Sequence, residues 1–370
     1  MKRRNLLKQL TAGGMVGTVA ACSASPPSEE ALADQPVVNW RMTTSWPRFL
    51  NVFEGVDVLC QQVSDMTFGR FTITPYEGGD LVPPLELFDA VQRGEVECGH
   101  TALYYFLDKS PALALGTSVP FGLTAQQQNA WLYSGGGIEA IQKVLDPFGL
   151  VWFPAGNTTG QMGGWFRQQV NTVADLQGLK MRIPGLGGKV LSRLGVTIES
   201  LAAQDIVPAL LEGTIDAVEW IGPSDDRTLG LQKAAPYYYY PGWWEPGTSF
   251  ATLVNQEQWN ALPAAYQAIF KTAAAEANLA TLALYNAKNG EALERFRLGG
   301  TTTLPFSESI LQTCRDTAFE IYQEIAEEDE SFAQIYGEWQ AFRDRIYNWN
   351  RISSLSFGQF AFQNLQQEDV

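Results

Sequence analysis

The sequence has a single histidine, His100, and few basic residues: 25 Lys and Arg stand against 40 Asp and Glu, for a formal net charge of −15. One histidine excludes any site built on two imidazoles, and a Ser-His-Asp triad would depend on that residue alone. So acidic a chain lacks the basic surface that nucleic-acid binding requires, and we expect no nucleic-acid partner. Binding of an anion would therefore depend on a few specific Arg side chains.

Cysteines and long apolar runs are also scarce. Besides Cys22, the chain contains Cys60, Cys98 and Cys314, and their spacing fits no metal-site pattern. This odd number leaves open either one disulfide with a free thiol or three buried thiols. Beyond the start of the chain we find no candidate transmembrane segment.

Residues 1–21 are predicted to be an export signal, because a basic start precedes a mildly apolar middle and small residues. Arg3 and Arg4 indicate the twin-arginine route. Cys22 lies where bacterial lipoproteins are cleaved and lipidated; the alternative is an ordinary signal peptide cut nearby. Residues 22–36, which are polar and contain proline, would then form a tether.

The length of 370 residues, 45% of them hydrophobic, is too great for one compact core and predicts two lobes. Apolar periodicity predicts a strand at 37–42, a helix at 49–66 and a strand at 70–76, which indicates an α/β architecture. Residues 255–298 and 307–347 are rich in helix-forming residues and predict long C-terminal helices.

A short internal repeat, here called the internal echo, also favours two lobes of similar construction. Residues 90–98 (AVQRGEVEC) and 209–217 (ALLEGTIDA) both read as the end of a helix, a capping Gly and the start of a strand. The predicted divisions are 37–157 with part of 246–300 for the first lobe, 158–245 with part of the C-terminal segment for the second, and 306–370 for C-terminal helices that form a dimer contact.

Arg182 is the first candidate binding residue. Apolar and basic residues alternate over 179–185, so Lys180 and Arg182 lie on one face of a predicted strand. A guanidinium matches a carboxylate with two parallel hydrogen bonds, and a strand end in an α/β lobe points into the ligand cleft. The alternative is a solvent-exposed Arg.

Two glutamates lie in apolar surroundings. Glu219 precedes Trp220 at a strand end, and Glu245 ends an aromatic run. A buried carboxylate needs a cationic partner, and with the amide oxygen of Gln161 the two would suit Na⁺ or Ca²⁺. The alternatives are an ordinary salt bridge for each Glu, or a hydrolase that uses both as acid and base. The single histidine and the lack of a nucleophile motif argue against the hydrolase.

These segments resemble the extracytoplasmic solute-binding subunits of tripartite ATP-independent periplasmic (TRAP) transporters, and especially the branch that binds 2-oxo acids such as pyruvate. The resemblance runs from about residue 37 to the C-terminus. It is carried by GQMGGWFRQQVNTVADLQGLKMRIPG (160–185), LEGTIDAVEWIGPSDD (211–226) and PYYYYPGWWEPG (236–247). It implies a periplasmic binding protein, not an enzyme, with two α/β lobes that close on the ligand by a hinge.

The resemblance also implies roles for individual residues. Arg182 would bind the substrate carboxylate, and Tyr104 or Tyr105 would donate a hydrogen bond to it. Asn157, Trp46 and Phe121 are further candidates for shaping the pocket, which the resemblance does not assign. A cation bridging the substrate oxygens would be held by Gln161, Glu219, Glu245 and the backbone carbonyl of Trp220.

The implied partners are the two membrane subunits of the transporter and a second copy of the chain in a helix-swapped homodimer. Relatives of this branch are usually released into the periplasm, whereas Cys22 indicates a membrane tether through a lipid anchor. The same fold could also bind lactate, glutamate or a dicarboxylate. A dicarboxylate would require a second basic group, with Lys180 or Lys189 as candidates.

The identity of the cation stays open at this point. Arg182, Glu219, Glu245 and a monocarboxylate together carry a charge of about −2, which Ca²⁺ would neutralise and Na⁺ would not. Resemblance to the 2-oxo acid branch suggests Na⁺ instead.

Overall fold

A computed structural model describes residues 28–363, except residues 200 and 202. The predictions for the export signal and for Cys22 lie outside the described residues. The final part of the expected tether was predicted wrongly: α1 (Glu29–Leu32) buries Leu32 against the first lobe. Nearby, the carbonyl of Pro36 accepts a hydrogen bond of 2.9 Å from the Tyr266 hydroxyl. The chain is therefore anchored to the body from about this helix onward.

The first lobe is built on a five-stranded mixed sheet of order β2-β1-β3-β10-β4. Its first two strands and the intervening helix confirm the predictions for 37–42, 70–76 and 49–66. The fourth strand comes from late in the chain and pairs antiparallel with both neighbours. The strands are β1 (Val38–Thr44), β2 (Phe71–Tyr76), β3 (Cys98–Thr101), β4 (Leu150–Asn157) and β10 (Ser249–Asn255).

The second lobe is built on a six-stranded mixed sheet of order β11-β9-β5-β8-β6-β7. β6 pairs in parallel with β7 and β8, while β5 runs antiparallel to β8 and β9. Its strands are β5 (Trp165–Phe166), β6 (Lys180–Arg182), β7 (Thr197–Glu199), β8 (Ala217–Val218), β9 (Tyr237–Tyr240) and β11 (Thr302–Pro305). The predicted α/β class and two-lobed architecture are confirmed.

Helices connect the strands and cover both sheets. Short 3₁₀ turns occupy 103–106, 111–116, 146–148, 173–176 and 231–233, and a π-helical turn occupies 351–355. The helices up to β10 are α2 (Val52–Met66), α3 (Leu87–Gln92), α4 (Ala125–Ser134), α5 (Gly137–Leu145), α6 (Gly185–Arg193), α7 (Ala203–Glu212) and α8 (Pro223–Leu229). Those that follow are α9 (Gln256–Ala261), α10 (Ala264–Leu298), α11 (Glu308–Glu328), α12 (Glu330–Asn350) and α13 (Ser356–Gln363).

The two copies of the internal echo lie at equivalent helix-to-strand connections of the two lobes. In the first, α3 ends before Gly94 and β3 begins at Cys98; in the second, α7 ends before Gly213 and β8 begins at Ala217. Both glycines have a left-handed backbone, with φ of 70° and 76°, which residues bearing a Cβ rarely adopt. The predicted helix–glycine–strand pattern is confirmed at both places.

The long C-terminal helices connect the lobes. α10 packs on α2 and β4 of the first lobe and on α8 of the second. α11 packs on α6 in the second lobe, whereas α12 packs on α4 and α5 in the first. Each predicted long helix is split into two, because Pro263 and Asp329 interrupt it with extended backbone. Within residues 28–363, no helix is long and apolar enough to cross a membrane.

Candidate functional site

Arg182, the last residue of β6, is buried at the cleft between the lobes with 5% of its surface exposed. Its Nη1 donates to a carboxylate oxygen of Glu219 and, at 3.0 Å, to the carbonyl of the same residue. Its guanidinium carbon lies 4.9 Å from the centre of the Trp220 ring. The alternative of a solvent-exposed Arg is wrong, because the strand end carries this side chain inward as the α/β architecture requires.

The second group of polar side chains surrounds Glu245. The Nε2 of Gln161 donates to Glu245 at 2.7 Å and to the Thr248 hydroxyl at 3.0 Å, and Thr248 also donates to Glu245. All three side chains are buried. The guanidinium of Arg182 lowers the pKa of Glu245, so the two groups lie within electrostatic reach of each other. The structure thus brings Gln161, Glu219 and Glu245 together around Arg182.

Burial dominates the electrostatics of the two glutamates. It raises the pKa of Glu219 well above its usual range, against the opposing attraction of Arg182. It raises the pKa of Glu245 to about 7, with the hydrogen bond from Thr248 acting in the opposite direction. Each carboxylate also raises the energy of the other, so this cluster has more negative charge than Arg182 alone can balance.

These residues fit a hard cation bound through oxygen atoms. Gln161 Oε1 and Glu219 Oε2 are buried without a hydrogen-bond partner among the described residues, so both remain free to coordinate an ion. Within the described chain, no group of three His, Cys, Asp or Glu side chains could hold a metal by itself. A cation here would therefore need amide and backbone oxygens as well, which suits Na⁺ or Ca²⁺ and not Zn²⁺.

The first lobe contributes two tyrosines. Tyr104 and Tyr105 lie on the 3₁₀ turn that follows β3, and the Tyr105 hydroxyl interacts with Arg182. Gly185, at the start of α6, allows the lobes to approach here: a Cβ on it would lie 3.4 Å from the Tyr104 Cβ, and its φ is 65°. The Asn157 side-chain oxygen accepts at 2.8 Å from the backbone N–H of Thr159, while its Nδ2 is buried without a hydrogen-bond partner among the described residues. Its place in a ligand pocket stays a prediction.

A small cavity of about 50 Å³ opens beside the guanidinium. Arg182 and Trp220 of the second lobe and Tyr105 and Ser45 of the first lie on its wall. Trp46 and Phe121, which we expected to shape the pocket, are not part of this wall. The Trp46 indole N–H donates to Nδ1 of His100 at 2.8 Å, and Phe121 stacks on Trp243.

Asp226 supports the segment that carries Glu219 and Trp220, and sequence reasoning missed it. The sequence offered only the acidic pair Asp225–Asp226, and the two side chains that donate to Asp226, those of Trp165 and Tyr238, are 61 and 12 positions away. Because its partners also include the two residues after Trp220, Asp226 fixes the backbone at the cleft. Its carboxylate accepts from Nε1 of Trp165 (2.9 Å), the hydroxyl of Tyr238 (2.6 Å) and the backbone N–H groups of Ile221 (3.2 Å) and Gly222 (3.0 Å).

Asp226→Asn is expected to lower the free energy of unfolding by about 3 kcal/mol, because an amide N–H would then face groups that are themselves donors. Burial raises the pKa of Asp226 to about 7, so the effect should be measured by urea unfolding near pH 8, where the carboxylate is ionised. The exposed Asp205→Asn is the matched control, and a loss below about 1 kcal/mol for Asp226→Asn would contradict this role.

The structure also settles the state of the three described cysteines and of the histidine. Cys60, Cys98 and Cys314 are buried free thiols, so the disulfide alternative is wrong among the described residues. His100 is buried between Trp46 and the Ala155 carbonyl, 3.1 Å from its Nε2, and burial lowers its pKa to about 4. Both ring nitrogens of His100 are thus engaged in structural hydrogen bonds.

Two α/β lobes with a buried guanidinium and carboxylates at the cleft between them define a solute-binding protein. The chain belongs to the family described as bacterial extracellular solute-binding protein, family 7, whose profile matches residues 42–329. It is 54% identical, over 98% of this chain and 99% of the relative, to the monocarboxylate 2-oxoacid-binding periplasmic protein of Nostoc sp. (strain PCC 7120). The predicted family is confirmed.

Solved structures of TRAP transporter solute-binding proteins have the same fold. One from Bordetella bronchiseptica, a mixed-occupancy dimer with calcium and picolinate bound in one site, has a TM-score of 0.89 and 40% identity, covering 90% of this chain and 100% of that one. One from Pseudoalteromonas atlantica, with sodium and pyruvate bound, has a TM-score of 0.84 and 36% identity, covering 87% and 98%.

Proposed function

We propose that this protein is the solute receptor of a TRAP transporter and captures a small 2-oxo monocarboxylate, such as pyruvate, together with a metal cation. The observation that carries the proposal is the buried Arg182, placed beside the unpartnered oxygens of Gln161 and Glu219. The ligands of the two solved relatives, a carboxylate and a cation in each case, support it.

The proposed roles follow from chemistry and position. Arg182 binds the carboxylate of the ligand through its fork of N–H donors. Tyr104 or Tyr105 donates a hydrogen bond from the first lobe, so that the bound ligand joins both lobes. Asn157 positions the loop that leads to Gln161. The cation, when bound, attracts the oxygens of the ligand; its proposed protein ligands are Gln161, Glu219, Glu245 and the backbone carbonyl of Trp220.

We propose binding without turnover. The family is one of solute-binding proteins, and His100 is buried and hydrogen-bonded through both ring nitrogens. Glu219 is engaged by Arg182 in a buried ion pair, which gives it a binding-site partner in place of a substrate. No observation favours the hydrolase alternative.

Isothermal titration of the mature protein with pyruvate tests the proposal, with Ca²⁺ or Na⁺ present and after treatment with EDTA. We expect saturable heat that depends on one of the two cations, and unchanged pyruvate after prolonged incubation. Lactate, glutamate and 2-oxoglutarate serve as competing ligands. Tighter binding of any of these than of pyruvate would contradict the assignment to 2-oxo monocarboxylates.

Cation binding is expected to weaken as the solution becomes more acidic. A carboxyl group must lose its proton to bind a metal, and burial raises the pKa of Glu245 to about 7. Below about pH 7 protons compete with the cation at Glu245, and also at Glu219, whose pKa burial raises as well, so affinity should fall by at least roughly tenfold per pH unit between about pH 7 and 5.5. Titrations with Ca²⁺ across this range measure it, and a flat profile would contradict Glu245 as a cation ligand.

A second copy of the chain is the proposed partner of the C-terminal helices. From the last turn of α12 onward, a stretch of apolar side chains is exposed to solvent, which is unusual for a monomer. A groove beside it runs between α12 and the start of α4. The exposed side chains are those of Trp349 (65%), Ile352 (71%), Leu355 (52%), Phe357 (70%), Phe360 (73%) and Phe362 (65%). The dimeric relative from Bordetella bronchiseptica supports this assignment.

The double variant Phe357→Asp/Phe360→Asp is expected to convert a dimer into a monomer, since charged side chains in an apolar interface carry a desolvation penalty. Light scattering after size-exclusion chromatography measures the mass. Leu298→Asp, at an apolar residue 82% exposed near the end of α10, is the control and should leave the dimer intact. A monomeric wild-type chain, or a dimeric double variant, would contradict the assignment.

We further propose periplasmic localisation with a lipid tether at Cys22, and delivery of the ligand to the two TRAP membrane subunits. The family supports the location outside the cytoplasm and the delivery to membrane subunits, whereas the tether rests on the sequence around Cys22 alone. In cells, metabolic labelling with a radioactive fatty acid should mark the wild-type protein and not Cys22→Ser. Equal labelling of the two would contradict the tether.

A further inference from the structure

The cavity beside Arg182 has a second charged residue on its wall, for which the proposed function provides no role. Glu199 ends β7, and its Cα is paired with that of Arg182 in the parallel ladder between β6 and β7. Residues paired in this way project from the same face of a sheet. Both residues line the cavity, so a carboxylate and a guanidinium face the same small space.

Glu199 is half-buried, yet its side chain has no hydrogen-bond or ion-pair partner anywhere in the part of the chain that the structure describes. Arg182 is engaged instead by Glu219, on the neighbouring strand end. Acidic side chains that lie away from bulk solvent are normally paired. An unpaired carboxylate on the wall of a ligand cavity therefore repels negative charge on any ligand that enters the cavity.

The other described residues of the wall carry no compensating positive charge. Arg182 is the one basic side chain among the described residues that line the cavity. Lys180 and Lys189, the candidates for a second basic group, are exposed and lie outside this wall. Most of the other lining residues are apolar, including Pro47, Leu85, Leu201 and Ala203.

We propose that Glu199 is a specificity-determining residue that rejects dicarboxylates and restricts the site to 2-oxo acids with an uncharged side chain. This inference rests on the proposed function. A ligand held by its 2-oxo carboxylate at Arg182 extends its other end along the same cavity, towards Glu199 and the apolar wall. A second carboxylate there meets a like charge without a cation to offset it, whereas a methyl group meets apolar surface.

Two ligands of equal chain length separate charge from size. 2-Oxoglutarate and 2-oxopentanoate both have a five-carbon chain and differ in whether it ends in a carboxylate or a methyl group. Titration of the full mature protein with each, and with pyruvate, gives the affinity ratio. In the wild type we expect 2-oxopentanoate to bind at least about 100-fold more tightly than 2-oxoglutarate.

Glu199→Gln keeps the shape of the side chain and removes its charge, so we expect the ratio to fall at least about tenfold, with pyruvate affinity changed less than about threefold. Glu212→Gln removes one negative charge from an exposed position on α7 and should leave the ratio unchanged. An unchanged ratio in Glu199→Gln, or equal binding of the two five-carbon acids to the wild type, would overturn the role of Glu199 and leave the proposed function standing. Failure of every 2-oxo acid to bind would overturn the proposed function itself.

Discussion

Arg182→Ala should raise the dissociation constant for pyruvate by at least about 100-fold, because removal of one partner from a buried, hydrogen-bonded charge pair costs about 2–5 kcal/mol. The side chain lies at the cleft with 5% exposure, so water cannot replace the lost guanidinium efficiently. Isothermal titration measures the loss. Circular dichroism must show that the variant is folded at the titration temperature, since Glu219 loses its partner.

Arg182→Lys distinguishes charge from geometry. A lysine keeps the positive charge without the planar fork, so we expect an affinity between those of wild type and Arg182→Ala. The exposed Arg193→Ala, on α6 of the same lobe, is the control for a general loss of positive charge. Pyruvate affinity within about threefold of wild type in Arg182→Ala would show that the ligand carboxylate binds elsewhere.

Glu245→Gln should change which cation the protein prefers. With Arg182, Glu219, Glu245 and a monocarboxylate, the site carries about −2 and is neutralised by Ca²⁺; with glutamine it carries about −1 and is neutralised by Na⁺. We therefore expect Ca²⁺ affinity to fall about 100-fold, and Na⁺ to support pyruvate binding better than it does in the wild type.

The measurement is a titration of pyruvate at fixed concentrations of each cation. Glu219→Gln should have a similar effect on Ca²⁺ and a larger one on stability, because it also removes the ion pair with Arg182. Glu199→Gln, which removes a carboxylate outside the proposed cation ligands, should leave the order of cation preference unchanged. An unaltered Ca²⁺ requirement in Glu245→Gln would exclude that residue from the cation site.

Local features of this fold could be predicted from the sequence, because they depend on neighbours within one element. β1, α2 and β2 follow from apolar periodicity, and the capping glycines Gly94 and Gly213 follow from the echo. The chain after Glu245 was harder, since β10 inserts antiparallel between two strands of the first lobe. Nothing in its own seven residues specifies those neighbours.

In the candidate site, too, local features could be predicted from the sequence and long-range contacts could not. The residue types and their apolar neighbours indicated candidate binding residues, and the family resemblance assigned them to one site. These residues are Arg182, Glu219, Glu245 and Gln161. The contacts themselves are remote in sequence: Arg182 and Glu219 are 37 positions apart, and Gln161 and Glu245 are 84 apart. Periodicity carries no information at such separations, which is why the support of Asp226 and the wall position of Glu199 emerged only from the fold.

The expected tether shows how composition can mislead. Residues 29–36 are polar enough for a linker, yet Leu32 is buried and the Pro36 carbonyl is hydrogen-bonded to Tyr266, on α10. One apolar side chain and one backbone carbonyl are sufficient to dock a short segment when a complementary surface exists. A complementary surface formed by α10, more than 200 residues further along the chain, is invisible in the local sequence.

A crystal structure of the mature protein grown with pyruvate and Ca²⁺, with anomalous scattering to locate the ion, tests the central claim most directly. We predict a carboxylate oxygen pair within hydrogen-bonding distance of Arg182, and one cation that contacts Gln161, Glu219, Glu245 and the Trp220 carbonyl as well as the pyruvate. Pyruvate bound away from Arg182, or a cation held by other residues, would contradict the account.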